Sequence, residues 1–262
     1  MAKNTGGGAL DRSLPWLVPL ALILLWQVAA SLGWLPPTIL PAPSSVAKAA
    51  WDKIQDGSLA SNLGVSFARA MSGLIIGGAI GFALGLLNGL STLGEKLLDP
   101  TLQMIRNIPH LALIPLVIIW FGIGESARLF LVALGVFFPI YLNTLHGVKN
   151  VDPHLIEMGR IYGMNNRTLF AKVILPGALP SIFVGLRFAL GVMWLTLIVA
   201  ETIAANSGIG HMAMAAREFM QTDVVVLSIV IYAILGKLAD SATRALESRF
   251  LAWNPAYGKV QP

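Results

Sequence analysis

The chain has no cysteine, which excludes disulfides, thiolate metal sites and cysteine nucleophiles. Charge is scarce as well. Only 12% of the 262 residues are Asp, Glu, Lys or Arg, against roughly a quarter in a soluble domain. No G-x-x-x-x-G-K-[ST] run occurs, so nucleotide-driven work falls to another subunit. The nucleophile-elbow pattern G-x-S-x-G is also missing. Ser207 and His211 share a glycine-rich turn rather than two packed helices, so no hydrolase is expected. No metal set is expected either. The net charge of +5 is spread over short segments between apolar runs, without the aromatic-interleaved basic surface of a nucleic-acid binder. There is no 20–50-residue repeat and no low-complexity block.

What is present is apolar sequence. Hydrophobic residues make up 56% of the chain and the mean hydropathy is +0.73, which points to a membrane protein. A bilayer core needs about 20 apolar residues per helix. Six segments qualify: Leu14–Leu32, Val65–Leu90, Leu98–Phe121, Ala127–His146, Pro180–Ala204 and Val224–Leu246. The first follows Lys3 and Arg12, as a signal peptide would. It is longer than the roughly 7–15 residues of a signal core, so it reads as an uncleaved transmembrane helix. The third carries Pro109 and Pro115, and a kink or break is expected there. The fold class is therefore all-α, a polytopic bundle of about six transmembrane helices. Its permease domain would cover residues 14–252, between an amino-terminal segment 1–13 and an irregular tail 253–262.

Loop charges orient the bundle. With the amino terminus cytoplasmic, the inner segments hold ten lysines and arginines and the outer ones four (Lys48, Lys53, Arg128 and Arg217). The positive-inside rule then places both termini in the cytoplasm. The outer segment Leu35–Asn62 opens with the proline-stiffened LPPTILPAPSS, and an amphipathic stretch near Val46–Ile54 follows.

Several polar residues stand inside the spans. Arg106, Asn107 and His110 cluster in the third, with Arg106 and His110 four apart and so expected on one face. Intramembrane charge usually faces a cavity or a partner, and these three are read as a cationic lining for an anion. Arg187, Trp194 and Glu201 lie seven apart on the fifth span. At 1.5 Å per residue, Arg187 and Glu201 stand about 21 Å apart, so each needs another partner. Glu201 is assigned to the outer mouth as a gating residue, beside the Asn206–Gly210 turn. Lys237 and Asp240, three apart, are expected to neutralise each other. In the second span Gly73, Gly77, Gly81, Gly85 and Gly89 repeat every fourth residue, a smooth face for a close helix contact.

The segment from Lys149 to Pro176, KNVDPHLIEMGRIYGMNNRTLFAKVILP, is polar and basic between long apolar runs. Asp152-Pro153 marks a helix start, and Gly163 with Asn165-Asn166 a turn. A second short helix is expected to end at Pro176. Two short amphipathic helices joined by a glycine turn form a knob suited to a groove on a partner, with Glu157 as a charge for that partner to grip.

This segment resembles the EAA loop of ABC-importer permeases: E-A-A, three residues, glycine, nine residues, then I-x-L-P. Glu157, Gly163, Val173, Leu175 and Pro176 occupy those slots, while Met158 and Gly159 replace the two alanines and Val173 the isoleucine. LPAPSSV (Leu40–Val46), Arg106–Arg128, Phe137–Asp152 and Leu186–Asp223 are similar to the sulfonate/taurine/nitrate branch of type I importers, most of all to bacterial aliphatic sulfonate permeases. The resemblance implies a homodimeric inner-membrane permease with two cytoplasmic ABC ATPase subunits that carry the ATP and Mg. It also implies a periplasmic sulfonate-binding protein, and a coupling role for Glu157, Met158, Gly159, Gly163, Leu175 and Pro176. A taurine or nitrate permease of the same branch is the alternative. An ion-coupled carrier predicts paired broken helices, and the sequence interrupts only one span.

Overall fold

Apolar runs of this length satisfy their backbone groups internally only as helices, and the computed structural model, which describes residues 10–254, is helical throughout with no strand among them. The helices are α1 (Leu10–Ser31), α2 (Pro43–Gln55), α3 (Ser58–Leu90), α4 (Thr92–Arg106), α5 (Ile114–Phe121), α6 (Glu125–Lys149), α7 (Pro153–Ile161), α8 (Asn166–Leu169), α9 (Leu175–Ala204), α10 (Ile209–Glu218) and α11 (Thr222–Phe250). Among the described residues, four helical runs are long and apolar enough to cross a membrane: α3, α6, residues 166–203, and α11. The pair Thr92–Arg106 and His110–Phe121 gives a fifth if counted as one broken span. Helix α1 contributes a shorter apolar stretch, Leu17–Ser31. The expected termini, 1–13 and 253–262, fall largely outside the described residues.

Two expectations change. The third apolar segment is not one helix: α4 and the following helix meet at 82°. Asn107–Pro109 makes the break, because Pro109 has no N–H to give and biases Ile108 away from helix. Nor does the helix after the glycine turn stop at Pro176. It runs from Asn166 through a π-helical segment, Phe170–Ile174, directly into α9. The widened π turn accommodates the missing proline donor, so Pro176 and Pro180 ride inside one rod.

The chain divides into two compact units. One comprises Met1–Asn62 and Met212–Ile231. Within it the Ser44 N–H donates to Gln27 Oε1 at 3.1 Å, fastening α2 to α1. The Thr222 hydroxyl donates to the Thr38 carbonyl at 3.2 Å. The other unit comprises Leu63–His211 and Tyr232–Pro262 and is organised around α6, whose buried residues include Val132, Tyr141, Thr144 and Val148.

Helices α3 and α6 run parallel in close contact. The glycine face of α3 meets Val132 and Ala133 at Gly73 and Gly77, Phe137 at Gly81, Thr144 at Gly85 and Val148 at Gly89. A Cβ at Gly77 would overlap the Ala133 carbonyl oxygen, and one at Gly81 would lie 2.6 Å from that of Phe137. At these two positions backbone fills the space, and at Gly73, Gly85 and Gly89 the side chains of Val132, Thr144 and Val148 come closest. On its other side α6 packs antiparallel to α9, where Gly147 admits the Ala178 carbonyl and Gly185 that of Pro139.

Candidate functional site

This arrangement gives the larger unit two ends. The amino ends of α3, α6 and the second half of α11 gather with the carboxyl end of α9 at one, the carboxylate end. The loop 150–165 and the start of the 166–203 rod lie at the other, the loop end.

At the carboxylate end Glu201 is fully buried. It accepts from Ser66 Oγ at 2.8 Å, Arg69 Nη1 at 2.8 Å, the Gly210 N–H at 2.9 Å and Tyr232 Oη at 3.1 Å. Ser66 Oγ also accepts from the Ile209 N–H. Arg69 reaches further, donating to the Ser207 carbonyl at 2.6 Å and the Ser207 hydroxyl at 3.0 Å. Its remaining donors go to Glu125, which also accepts from Arg128 at 2.9 Å. One buried carboxylate thus ties α3, α9, α11 and the 205–210 turn together. A Cβ on Gly208 (φ +108°) or Gly210 would collide with Glu201, so both glycines are required. The network uses every strong donor around Glu201, as a buried charge must.

Of the three residues expected to line the third span, His110 engages a second span. Its Nε2 stands 2.9 Å from Thr196 Oγ1 on α9. Arg106 is the exposed last residue of α4, and Asn107 caps that helix with its amide on the Gln103 carbonyl. Because the chain bends between them, Arg106 and His110 do not share a helix face; the four-residue spacing held only for an unbroken helix. Glu201 lies five residues beyond Thr196 on α9, about 7.5 Å along the axis, in the network just described. Arg187 finds Glu247 on α11, and Asp240 at 3.6 Å. Asp240 also takes Lys237 at 3.7 Å and Arg244 at 3.0 Å.

At the loop end Asp152 caps α7, accepting from the His154 N–H at 2.9 Å. The helix ends at Gly163, whose φ of +76° is the left-handed geometry that favours glycine. Asn165 caps the next helix through the Thr168 N–H at 2.8 Å. Gly159 is buried against Leu169, where a Cβ would lie 2.6 Å from Cδ1. Glu157 and Met158 face outward, and Ile161 and Tyr162 are 84% and 77% exposed. Leu155, Met158, Tyr162, Val173, Pro176 and Trp253 line a groove beside them. Leu175 and Pro176 are half-buried at the start of α9. The knob is held rigidly inside and left apolar outside, the form of a docking element.

Three interactions went unread in the sequence. Arg69 is the first. The second is the chain Asn88–Tyr141–Asp99, in which Tyr141 donates to Asp99 at 2.6 Å and accepts from Asn88 at 2.7 Å. The third is the ion pair of Lys149 with Glu95. Each joins residues more than 40 apart, beyond any periodicity. Lone opposite charges at matching depth in different spans were the available signal for Arg69 and Glu201. Among the described residues no group of three or more His, Asp or Glu side chains is placed to hold a metal.

A protein of Escherichia coli (strain K12) named as an aliphatic sulfonates transport permease, SsuC, is 60% identical over 246 residues, 94% of each chain. The E. coli taurine transport system permease protein TauC is 37% identical over 268 residues, 96% of each. Among solved structures, a chain of the methionine ABC transporter MetNI in inward-facing conformations shares the fold with a TM-score of 0.50 at 20% identity, covering 70% of this chain and 95% of that one. Residues 73–252, which hold the glycine face, the bent pair, the loop and Glu201, match the binding-protein-dependent transport system inner membrane components. The chain belongs to that family of inner-membrane transport subunits.

Proposed function

We propose that this chain is the membrane-spanning subunit of an ATP-driven importer that carries aliphatic sulfonates from periplasm to cytoplasm by alternating access. The observation that carries the reading is the 60% identity, along 94% of both chains, to a protein named for that transport. The taurine relative, at 37%, is the more distant of the two. ATP and Mg belong to cytoplasmic ATPase subunits, a periplasmic binding protein delivers the anion, and a second copy of the chain completes the pore. Both termini face the cytoplasm, in keeping with the distribution of Lys and Arg. The carboxylate end then faces the periplasm and the loop end the ATPase.

In this reading Glu157, Met158, Gly159 and Gly163 form the coupling knob, and Leu175 and Pro176 pass its motion to α9. The exposed apolar surface around Glu157 supports that role. Arg106, Asn107 and His110, at the bend, would meet the passing anion. Glu201 would act on gating through the turn it holds.

The test is uptake of labelled ethanesulfonate by cells lacking their own sulfonate importers. They would receive the chain with its ATPase and binding protein, or the same set with Glu157→Ala. ATP-dependent uptake, suppressed by longer alkyl sulfonates and weakened by the variant, is the expected result. A well-assembled complex that moves taurine or nitrate and no ethanesulfonate would reject the substrate.

A further inference from the structure

Charge at the carboxylate end is divided unevenly between buried and exposed groups. Arg69 and Arg128 have side chains only 5% and 7% exposed, whereas Glu125, which bonds to both, is 56% exposed. Glu201, the other carboxylate on Arg69, is fully buried and held by four donors. Two guanidinium groups and one carboxylate are therefore fixed inside, and the second carboxylate sits on them from the solvent side.

Removing Glu125 from its place would leave a net single positive charge there, with Arg69 Nε and Nη2 and Arg128 Nη1 all losing an acceptor. Paired N–H groups of a guanidinium match the oxygens of an oxoanion. Uncompensated buried charge is expensive, so a replacement anion is strongly favoured. Beside Arg128 lies a narrow cleft walled by Ile114, Ile118, Ala127, Leu131 and Ile203, an apolar border that offers a hydrated ion no further polar partner.

We propose that Arg69 and Arg128 form an oxoanion site for the sulfonate head group, and that Glu125 is its tethered competitor, displaced when the anion is taken. The sulfonate as ligand rests on the import reading above; the oxoanion chemistry rests on the two guanidinium groups alone. Glu125 thereby keeps the site closed to water and weak for anions until delivery raises their local concentration. Its exposure lets it swing outward, which the buried arginines cannot do.

The experiment measures binding of radiolabelled ethanesulfonate to the whole permease–ATPase complex in nanodiscs, without binding protein. Glu125→Gln should tighten binding at least about tenfold, and Glu125→Gln with Arg128→Gln should abolish that gain. Unchanged affinity in a correctly assembled Glu125→Gln complex, or a gain that survives loss of Arg128, overturns the site. A second measurement needs no variant. In the wild-type complex, millimolar ethanesulfonate should release Glu125 and speed its carbodiimide modification, read by mass spectrometry; an unchanged rate counts equally against the site. Uptake by the wild-type complex with its binding protein is followed in parallel. Import without any Glu125 effect removes the site and leaves the transport reading. Tightened binding with no ethanesulfonate import removes the sulfonate reading and leaves an oxoanion site.

Discussion

The two ends of the larger unit solve opposite problems. At the carboxylate end, charge is drawn inside and satisfied: Glu201 has no exposed surface and four kinds of donor around it. At the loop end, apolar side chains are pushed outside and left uncovered, while the charges nearby keep part of their surface in solvent, as in the half-exposed pair of Lys149 with Glu95. A buried ionic network has one good geometry and resists movement. An apolar knob on a capped helix keeps its own shape and trades water for a partner. The first end is built to hold, the second to be held.

Substitutions can separate these behaviours, and the largest effect belongs to Glu201→Ala. It strands Arg69 with a single carboxylate and leaves Ser66, Tyr232 and the Gly210 N–H without their acceptor. Breaking a buried pair costs about 3–5 kcal/mol, so thermal unfolding in detergent should fall steeply; a melting point unmoved by the change would erase the contrast between the ends. Next comes Gly163→Val, a β-branched residue forced to a φ of +76°. A loss of about 1–3 kcal/mol is expected, confined to the loop, with hydrogen exchange rising in α7 but not in α3 or α6. Tyr141→Phe should cost about 1–3 kcal/mol, since Asn88 is buried and loses its acceptor. Lys149→Gln removes a half-exposed ion pair and should change stability by under about 1 kcal/mol, still less at high salt.

The smallest effect concerns pH. Hydrogen bonds from Ser58, with lesser help from Lys53, hold the Asp56 carboxyl below the usual carboxylate range. Its folded form therefore prefers the ionised state. That contribution is complete above the ordinary carboxylate pKa and fades as pH falls through the lowered one. Fraying at the start of α3 should increase only in strong acid, and Asp56→Asn should remove the dependence; fraying that tracks neutral pH would assign it elsewhere.

Much of this was legible in the sequence, for physical reasons that also mark where legibility ends. Apolar length gave the spans because the bilayer fixes that length. The glycine repeat announced a close contact, and its partner proved to be α6. Gly163 could be read because a left-handed helix end nearly demands glycine. Glu201 stood out as a carboxylate in an apolar run, yet its partner Arg69 lies 132 positions away, where only the fold can bring it. The shared face expected of Arg106 and His110 failed because helical spacing was carried across Asn107–Pro109, where the helix is broken. The continuity through Pro176 was missed for the opposite reason. Proline was taken as an end, and a π turn absorbed it.

That continuity makes the two ends mechanically one object. The rod from Asn166 to Ile203 has 38 residues, about 57 Å at 1.5 Å each, nearly twice the hydrocarbon thickness of a bilayer. Its first turns are gripped at the loop, and Glu201 rides near its far tip. A rigid lever of that length, tilted about 5° at one extremity, carries the other through about 5 Å, more than the reach of any hydrogen bond in the carboxylate network. In the coupling proposed above, a small change of angle at the knob would therefore suffice to carry Glu201 out of reach of its partners, against the resistance of the network that holds it.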